Sequence, residues 1–149
     1  MPLRDTAGAM SEENVEIVRG AYREWERGNF QTPDVFDPDV RVVWINPIFV
    51  PHSETRGLEA LNEAMREFLD AWELGTATAG EIIDGGEQVI AENVWRGRGK
   101  TSGIDIEVRL WSVWTLVEGK AIQVVQYENR SEALEAAGSI EAVRRPASG

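Results

Sequence analysis

The segment from Ile104 to Gly138 limits the possible folds more than any other part of this 149-residue chain. It reads as a long strand over Ile104–Val117, a tight turn at Glu118-Gly119, a second strand over Lys120–Arg130 and a short helix from Ser131 to Gly138. The first strand is apolar on both faces at its centre, where Leu110, Trp111, Val113 and Trp114 crowd around Ser112. A strand with one wet face alternates instead. Both faces of this strand are therefore expected to be covered, one by the chain's own helices and one by a further surface.

The length predicts one domain. A hydrophobic fraction of 42% is ample for a core. No apolar run is as long as a membrane span, and the first residues lack the charged-then-apolar layout of a secretory leader. With no cysteine there is no disulfide framework. A soluble cytoplasmic protein with no membrane partner is expected. The formal charge of −11 repels a phosphate backbone, so no nucleic-acid partner is expected.

Residues 1–10 read as a flexible arm, 11–138 as the domain and 139–149 as a flexible tail. Ser11 is a helix cap, with Glu12 and Glu13 in the first turn. Val15, Val18, Tyr22 and Trp25 share one helical face, and Gly28 ends the helix. Val40–Asn46 is a strand, and Pro47 and Pro51 enforce a loop. Gly57–Trp72 is a second helix. Thr76–Asp84 and Glu87–Arg96 are strands joined at Gly85-Gly86. The order of helix, strand, helix, four antiparallel strands and a closing helix predicts an α+β fold. In it a curved antiparallel sheet is wrapped by the N-terminal helices into a cone.

That order resembles the nuclear transport factor 2-like (cystatin-like) superfamily, and most closely its SnoaL-like polyketide cyclase branch. The opening helix, Ser11 to Tyr22 followed by Gly28-Asn29, carries part of the likeness. So do Asp37-Pro38-Asp39-Val40 with Arg56-Gly57, and Glu118-Gly119-Lys120 with the run from Tyr127 to Gly138. The resemblance implies a pocket for a small molecule, no cofactor and pairing of two copies. It also implies reactions such as isomerisation, cyclisation or dehydration by acid–base catalysis.

Strand parity predicts what lines the pocket. Trp44 and Asn46 point inward from the first strand, Asn93 and Trp95 from the third, Leu110 and Trp114 from the fourth, and Gln126 and Glu128 from the fifth. Tyr22, Trp25, Phe68 and Trp72 face them from the helices. The resulting lining suits a flat, apolar, cyclic or polyketide-like ligand. Ketosteroid isomerases resemble the chain through an acid followed by proline, and Asn46-Pro47 stands there. An amide cannot accept that proton. The acid–base positions of the limonene epoxide hydrolases correspond to Asn93, Trp95 and Gln126. No aspartate stands at an inward position for the role it has in SnoaL-type cyclases. The remaining candidates for catalysis are Glu128, whose carboxylate would be desolvated among indoles, and His52, the single histidine. The rival expectation is a module that binds a ligand or dimerises without catalysis.

Two further patterns concern partners. Glu92, Arg96, Asp105, Glu107 and Arg109 have the outward parity of neighbouring strands and read as cross-strand ion pairs. Asp34, Asp37 and Asp39 read as a turn, so no metal site is expected. Trp111, Val113 and Val125, with Tyr127 beside them, form an outward apolar face, which predicts a symmetric homodimer through the sheet.

Overall fold

The computed structural model describes residues 3–30, 33–45 and 54–137; Asn46 and His52 lie outside them. Helix α1 spans Leu3–Glu26, and a 3₁₀ turn at Pro33–Val35 leads into β1, Phe36–Val43. Strand β2, Glu54–Arg56, and helix α2, Leu58–Asp70, follow. Four long strands complete the sheet: β3 Trp72–Gly85, β4 Gln88–Gly99, β5 Asp105–Val117 and β6 Lys120–Tyr127. Residues 130–137 form a closing helix, α3.

Helix α1 begins at Leu3, so Ser11 is not its cap and residues 3–10 are helix rather than a loose arm. The physical reason is propensity. Ala7, Ala9 and Met10 favour helix, and Gly8 alone between Leu3 and Ser11 opposes it strongly. At the other end Gly28 adopts a φ of 90°, and the amide of Asn29 returns to the Glu24 carbonyl at 2.9 Å. This left-handed exit closes the last turn. The predicted apolar stripe is buried where it matters, with Val18, Ala21 and Tyr22 at most 3% exposed.

The sheet runs β2-β1-β6-β5-β4-β3. It is mixed rather than all antiparallel, because β1 pairs parallel with β6 through Val42 and Val124. No hairpin joins those two strands; the chain between them passes through α2 and three other long strands, which leaves either direction open. Strand β2, which the sequence reading left unassigned, adds an edge to the sheet where Thr55 pairs with Val42. Helix α2 stops at Asp70, and Trp72 opens β3 opposite Gly99. The amide of Lys100 donates to the Ala71 carbonyl at 3.0 Å, which holds that corner. In β3 the register shifts between Ala79 and Ile82. A Cβ at Gly80, inside that bulge, would overlap the Glu92 carboxylate.

The main core lies between α1, α2 and the concave face of the sheet, with Val18, Val40, Val89 and Trp114 all at most 1% exposed. A second cluster occupies the other face. Ile90, Trp111 and Val113 are buried there beneath Ala133 and Ala137 of α3. The expectation that Trp111 and Val113 form an open face for a second copy is therefore corrected. The chain's own closing helix covers them, because the small alanines let its backbone approach the sheet. Asn129 caps α3, which starts at Arg130, one residue earlier than read. The Asn129 Oδ1 accepts the Glu132 amide at 2.9 Å, an N-cap bond, and its side-chain Nδ2 donates to Glu132 Oε1 at 2.8 Å. Arg130 then reaches Glu81 with two bonds of 3.0 and 3.1 Å, its guanidinium 5.9 Å from the Trp111 ring.

Candidate functional site

The concave face surrounds a cavity of about 160 Å³. Period-two alternation brings its sheet wall together. Asn93 opposes Leu110 across β4 and β5, Ser112 opposes Gln126 across β5 and β6, and Trp114 opposes Val124. Trp44, just beyond β1, Trp95 and Val108 extend the same wall. Tyr22 and Trp25 of α1 and Phe68 of α2 close it from the helix side. Nine of the predicted ligand-contacting residues are thus gathered around one hollow.

Trp114 is the floor. Its ring lies between Trp25 and Phe36, with centroids 5.8 Å away on each side and interplanar angles of 29° and 18°. Tyr22 packs edge-on against Trp25 at 4.9 Å. Nearer the wide end, Phe68, Trp72 and Trp95 meet in edge-on and tilted pairs between 4.9 and 5.9 Å. Two glycines make that cluster possible. A Cβ at Gly75 would overlap the Trp95 ring, and one at Gly97 would lie 2.7 Å from the Trp72 ring. A second depression of about 280 Å³ shares Phe30, Asn62 and Met65 with the cavity and adds Arg66 and Lys100. Those cations pair with Glu63 at 2.5 Å and Asp70 at 3.6 Å.

The polar groups form a neutral array. The Tyr22 hydroxyl donates to Asn93 Oδ1, and Asn93 Nδ2 donates to Ser112 Oγ at 2.8 Å. Gln126 Oε1 accepts the Ile45 amide at 3.4 Å. Burial pushes the Tyr22 phenol far above its ordinary range, against smaller opposing effects of Trp114 and Ser112. The phenol therefore stays protonated and acts as a donor. Among the described residues around the cavity there is no carboxylate, imidazole, amine or guanidinium. Such a site can solvate a neutral or partly negative oxygen, but its described side chains offer no proton acceptor of carboxylate or imidazole type.

The other predicted positions fall elsewhere. Glu128 is exposed, one residue past the end of β6, and does not line the cavity. The expected desolvated carboxylate is not formed, because the strand ends at Tyr127 and parity no longer aims the next side chain. Trp72 packs behind Phe68 and Trp95 instead of lining the hollow, since it belongs to β3 and not to α2. Asn46 and His52 lie outside the described residues. The sequence reading missed Phe30, Phe36, Leu61, Asn62, Met65, Ala77 and Val94. Leu61 and Met65 were legible as one face of α2 with Phe68. Phe36 shares the even numbering of Val40, but the register of β1 shifts between Phe36 and Arg41. Phe30 sits in a connection with no periodicity to read.

A family model for the SnoaL-like domain matches residues 18–124. The chain belongs to the SnoaL-like domain family. The match takes in Tyr22, Asn93, Ser112 and Trp114 but stops short of Gln126 and α3. Among solved structures the SnoaL-like chain is similar to an NTF2-like protein of unknown function from Burkholderia pseudomallei K96243. The identity is 18% and the TM-score 0.69, over 85% of this chain and 98% of that one. It is also similar to TerC co-crystallised with polyporic acid, at 15% identity and a TM-score of 0.67 over 84% and 98%. A candidate SnoaL-like polyketide cyclase from Jannaschia sp. CCS1 is 17% identical, with a TM-score of 0.65 over 86% and 92%. At these identities the likeness is one of fold. No curated protein matches the chain in sequence.

Proposed function

We propose that this SnoaL-like protein holds a flat, apolar ring compound in its cone as a binding protein rather than as an acid–base catalyst. One observation carries the reading: the cavity is walled by aromatic rings and uncharged hydrogen-bonding groups, with no ionisable acid or base among its described lining except the buried phenol. Aromatic walls suit an aromatic or polyketide-like ligand. The co-crystal of TerC with polyporic acid supports a small molecule as the class of occupant. Co-crystallisation and thermal shift with a panel of aromatic polyketide-like compounds test the reading. The expected result is stabilisation of the wild type that is lost in Leu110→Trp, which fills the hollow. A panel that leaves both proteins unchanged, or shifts both equally, overturns it.

A homodimer in the cytoplasm completes the reading. With Trp111 and Val113 covered by α3, the proposed interface moves to the half-buried Val43, Val125 and Tyr127, which neighbour one another on the outer face of β1 and β6. Analytical ultracentrifugation is expected to give a dimer for the wild type and a monomer for Val125→Glu. A monomeric wild type or a dimeric variant refutes that surface. No helix among the described residues is long and apolar enough to cross a membrane.

A further inference from the structure

The depression beside the cavity differs from it in charge. Phe30, Met65 and Leu69 are its half-buried apolar part, and Asn62, Arg66, Asp70 and Lys100 are its exposed part. Two cations therefore stand against one carboxylate, on a chain whose formal charge is −11. Helical spacing produces this sign. Asn62, Met65, Arg66 and Leu69 share one side of α2, and Arg66 is the only basic residue of that helix. Glu59, Glu63 and Glu67 form a separate stripe that does not line the hollow. Lys100 comes from another element, the turn after β4, and the bond from its amide to the Ala71 carbonyl fixes it beside the end of α2. Each cation has a partner, Glu63 for Arg66 and Asp70 for Lys100, but all four side chains are more than half exposed. Exposed pairs of this kind contribute little, so an incoming anion displaces them at small cost. The Asn62 amide has no hydrogen-bond partner among the described residues.

We propose that this depression is a second binding site, separate from the cavity, for a small organic anion: a monocarboxylate on an aryl or short alkyl body. The apolar body rests on Phe30, Met65 and Leu69. The carboxylate is held by Arg66 and Lys100 from two different elements, with the Asn62 N–H as a further donor. A volume of about 280 Å³ limits the occupant to a small molecule. Charge complementarity selects it. A neutral analogue of the same shape gains only the apolar contact, and an organic cation meets the repulsion of both basic groups. The site does not depend on what fills the cone, although Phe30, Asn62 and Met65 border both hollows.

Amide-resolved NMR titration of the full chain with phenylacetate, phenylacetamide and phenethylammonium tests this. The three probes share one ring and differ in carrying a negative charge, none, or a positive charge. Phenylacetate is expected to bind about fivefold tighter than the amide at low salt, the worth of an exposed ion pair of good geometry. Added salt narrows that ratio. Phenethylammonium is expected to bind no tighter than the amide. The shifts caused by phenylacetate should concentrate at the backbone amides of Leu69, Asp70 and Lys100 and leave those of Leu110 and Ser112 unmoved. In the double variant Arg66→Gln, Lys100→Gln the advantage of the acid falls towards unity. Circular dichroism establishes that the variant is folded, and the wild-type ratio and shift map decide the matter if it is not. Equal binding of acid and amide, a preference for the cation, a preference for the acid that persists in the folded double variant, or failure of phenylacetate to bind overturns the inference and leaves the cavity reading standing. Shifts centred on Leu110 and Ser112 also overturn it, since they place the anion inside the cone.

Discussion

The two faces of one sheet carry opposite chemistry. On the concave side β4, β5 and β6 present rings and amides, with a single neutral relay through Tyr22, Asn93 and Ser112. One residue along the same strands, the convex side carries a ladder of ion pairs. Arg96 meets Glu107 at 2.8 Å, Arg98 meets Asp105 at 2.8 Å, and Arg109 bridges Glu107 at 3.0 Å and Glu92 at 3.5 Å. The same outer side also carries an apolar patch closed by α3. The difference teaches how the chain separates solubility from ligand chemistry. Charge stays where water screens it, and the interior is left to groups that bind without ionising. Alternation alone accomplishes the separation, since a one-residue slip would exchange the two sets.

The sharpest way to break this comparison is a matched pair on β5. Trp114 on the inner face and Trp111 on the outer face are both buried, at 1% and 8% exposure. Trp114→Ala removes the ring between Trp25 and Phe36 in a wall that α1 and the sheet hold on all sides. It is expected to cost about 3–5 kcal/mol in urea denaturation. Trp111→Ala is expected to cost less, about 2–3 kcal/mol, because α3 rests on it through two alanines and can settle into the gap. If Trp111 proves the costlier, the convex cluster is a principal core and not a lid.

Tyr22→Phe sharpens the account of the inner face. It leaves Asn93 Oδ1 without its donor, at an expected cost of about 1–2 kcal/mol near neutral pH. A second signature separates this from loss of packing. Because burial raises the folded phenol above its ordinary 10.0, both states are protonated below that pH, and the unfolded chain ionises first above it. Wild-type stability therefore declines as pH rises past 10.0. The part of that decline due to Tyr22 disappears in Tyr22→Phe, while Tyr127, also raised by burial, keeps its share in both proteins. Parallel wild-type and variant stability curves above that pH would place the phenol in contact with water.

The same comparison indicates what was legible in the sequence. Faces were readable wherever a strand is long and paired on both sides. The wall of Asn93, Trp95, Leu110, Trp114 and Gln126 therefore follows from parity alone. Parity failed at ends. Glu128 lies one residue beyond a ladder that stops at Tyr127, and Trp72 was counted as the last turn of α2 although its backbone pairs with Gly99. The cover on Trp111 and Val113 was hidden for another reason. Ala133 and Ala137 are too small to mark a buried face, and only the closeness of their helix to the sheet makes them one. The direction of β1 was equally hidden, since its partner lies some eighty residues away in sequence.

The smallest effect concerns the latch on α3. Glu81 accepts both bonds from Arg130, and that hydrogen-bonded pairing lowers its carboxyl below the ordinary 4.5. A group lowered on folding stabilises fully above its unfolded value and loses that contribution as pH falls through the folded one. Glu81→Gln should therefore melt slightly below wild type at neutral pH, and the gap should close as the solution is acidified below 4.5. Both residues are about half exposed, so salt should narrow the gap as well. Hydrogen exchange locates the effect. Amides of residues 130–137 should lose protection in the variant while those of β5 beside the cavity do not. If β5 loses protection equally, the inner and outer faces share one cooperative unit, and α3 belongs to the wall of the pocket as much as Trp114 does.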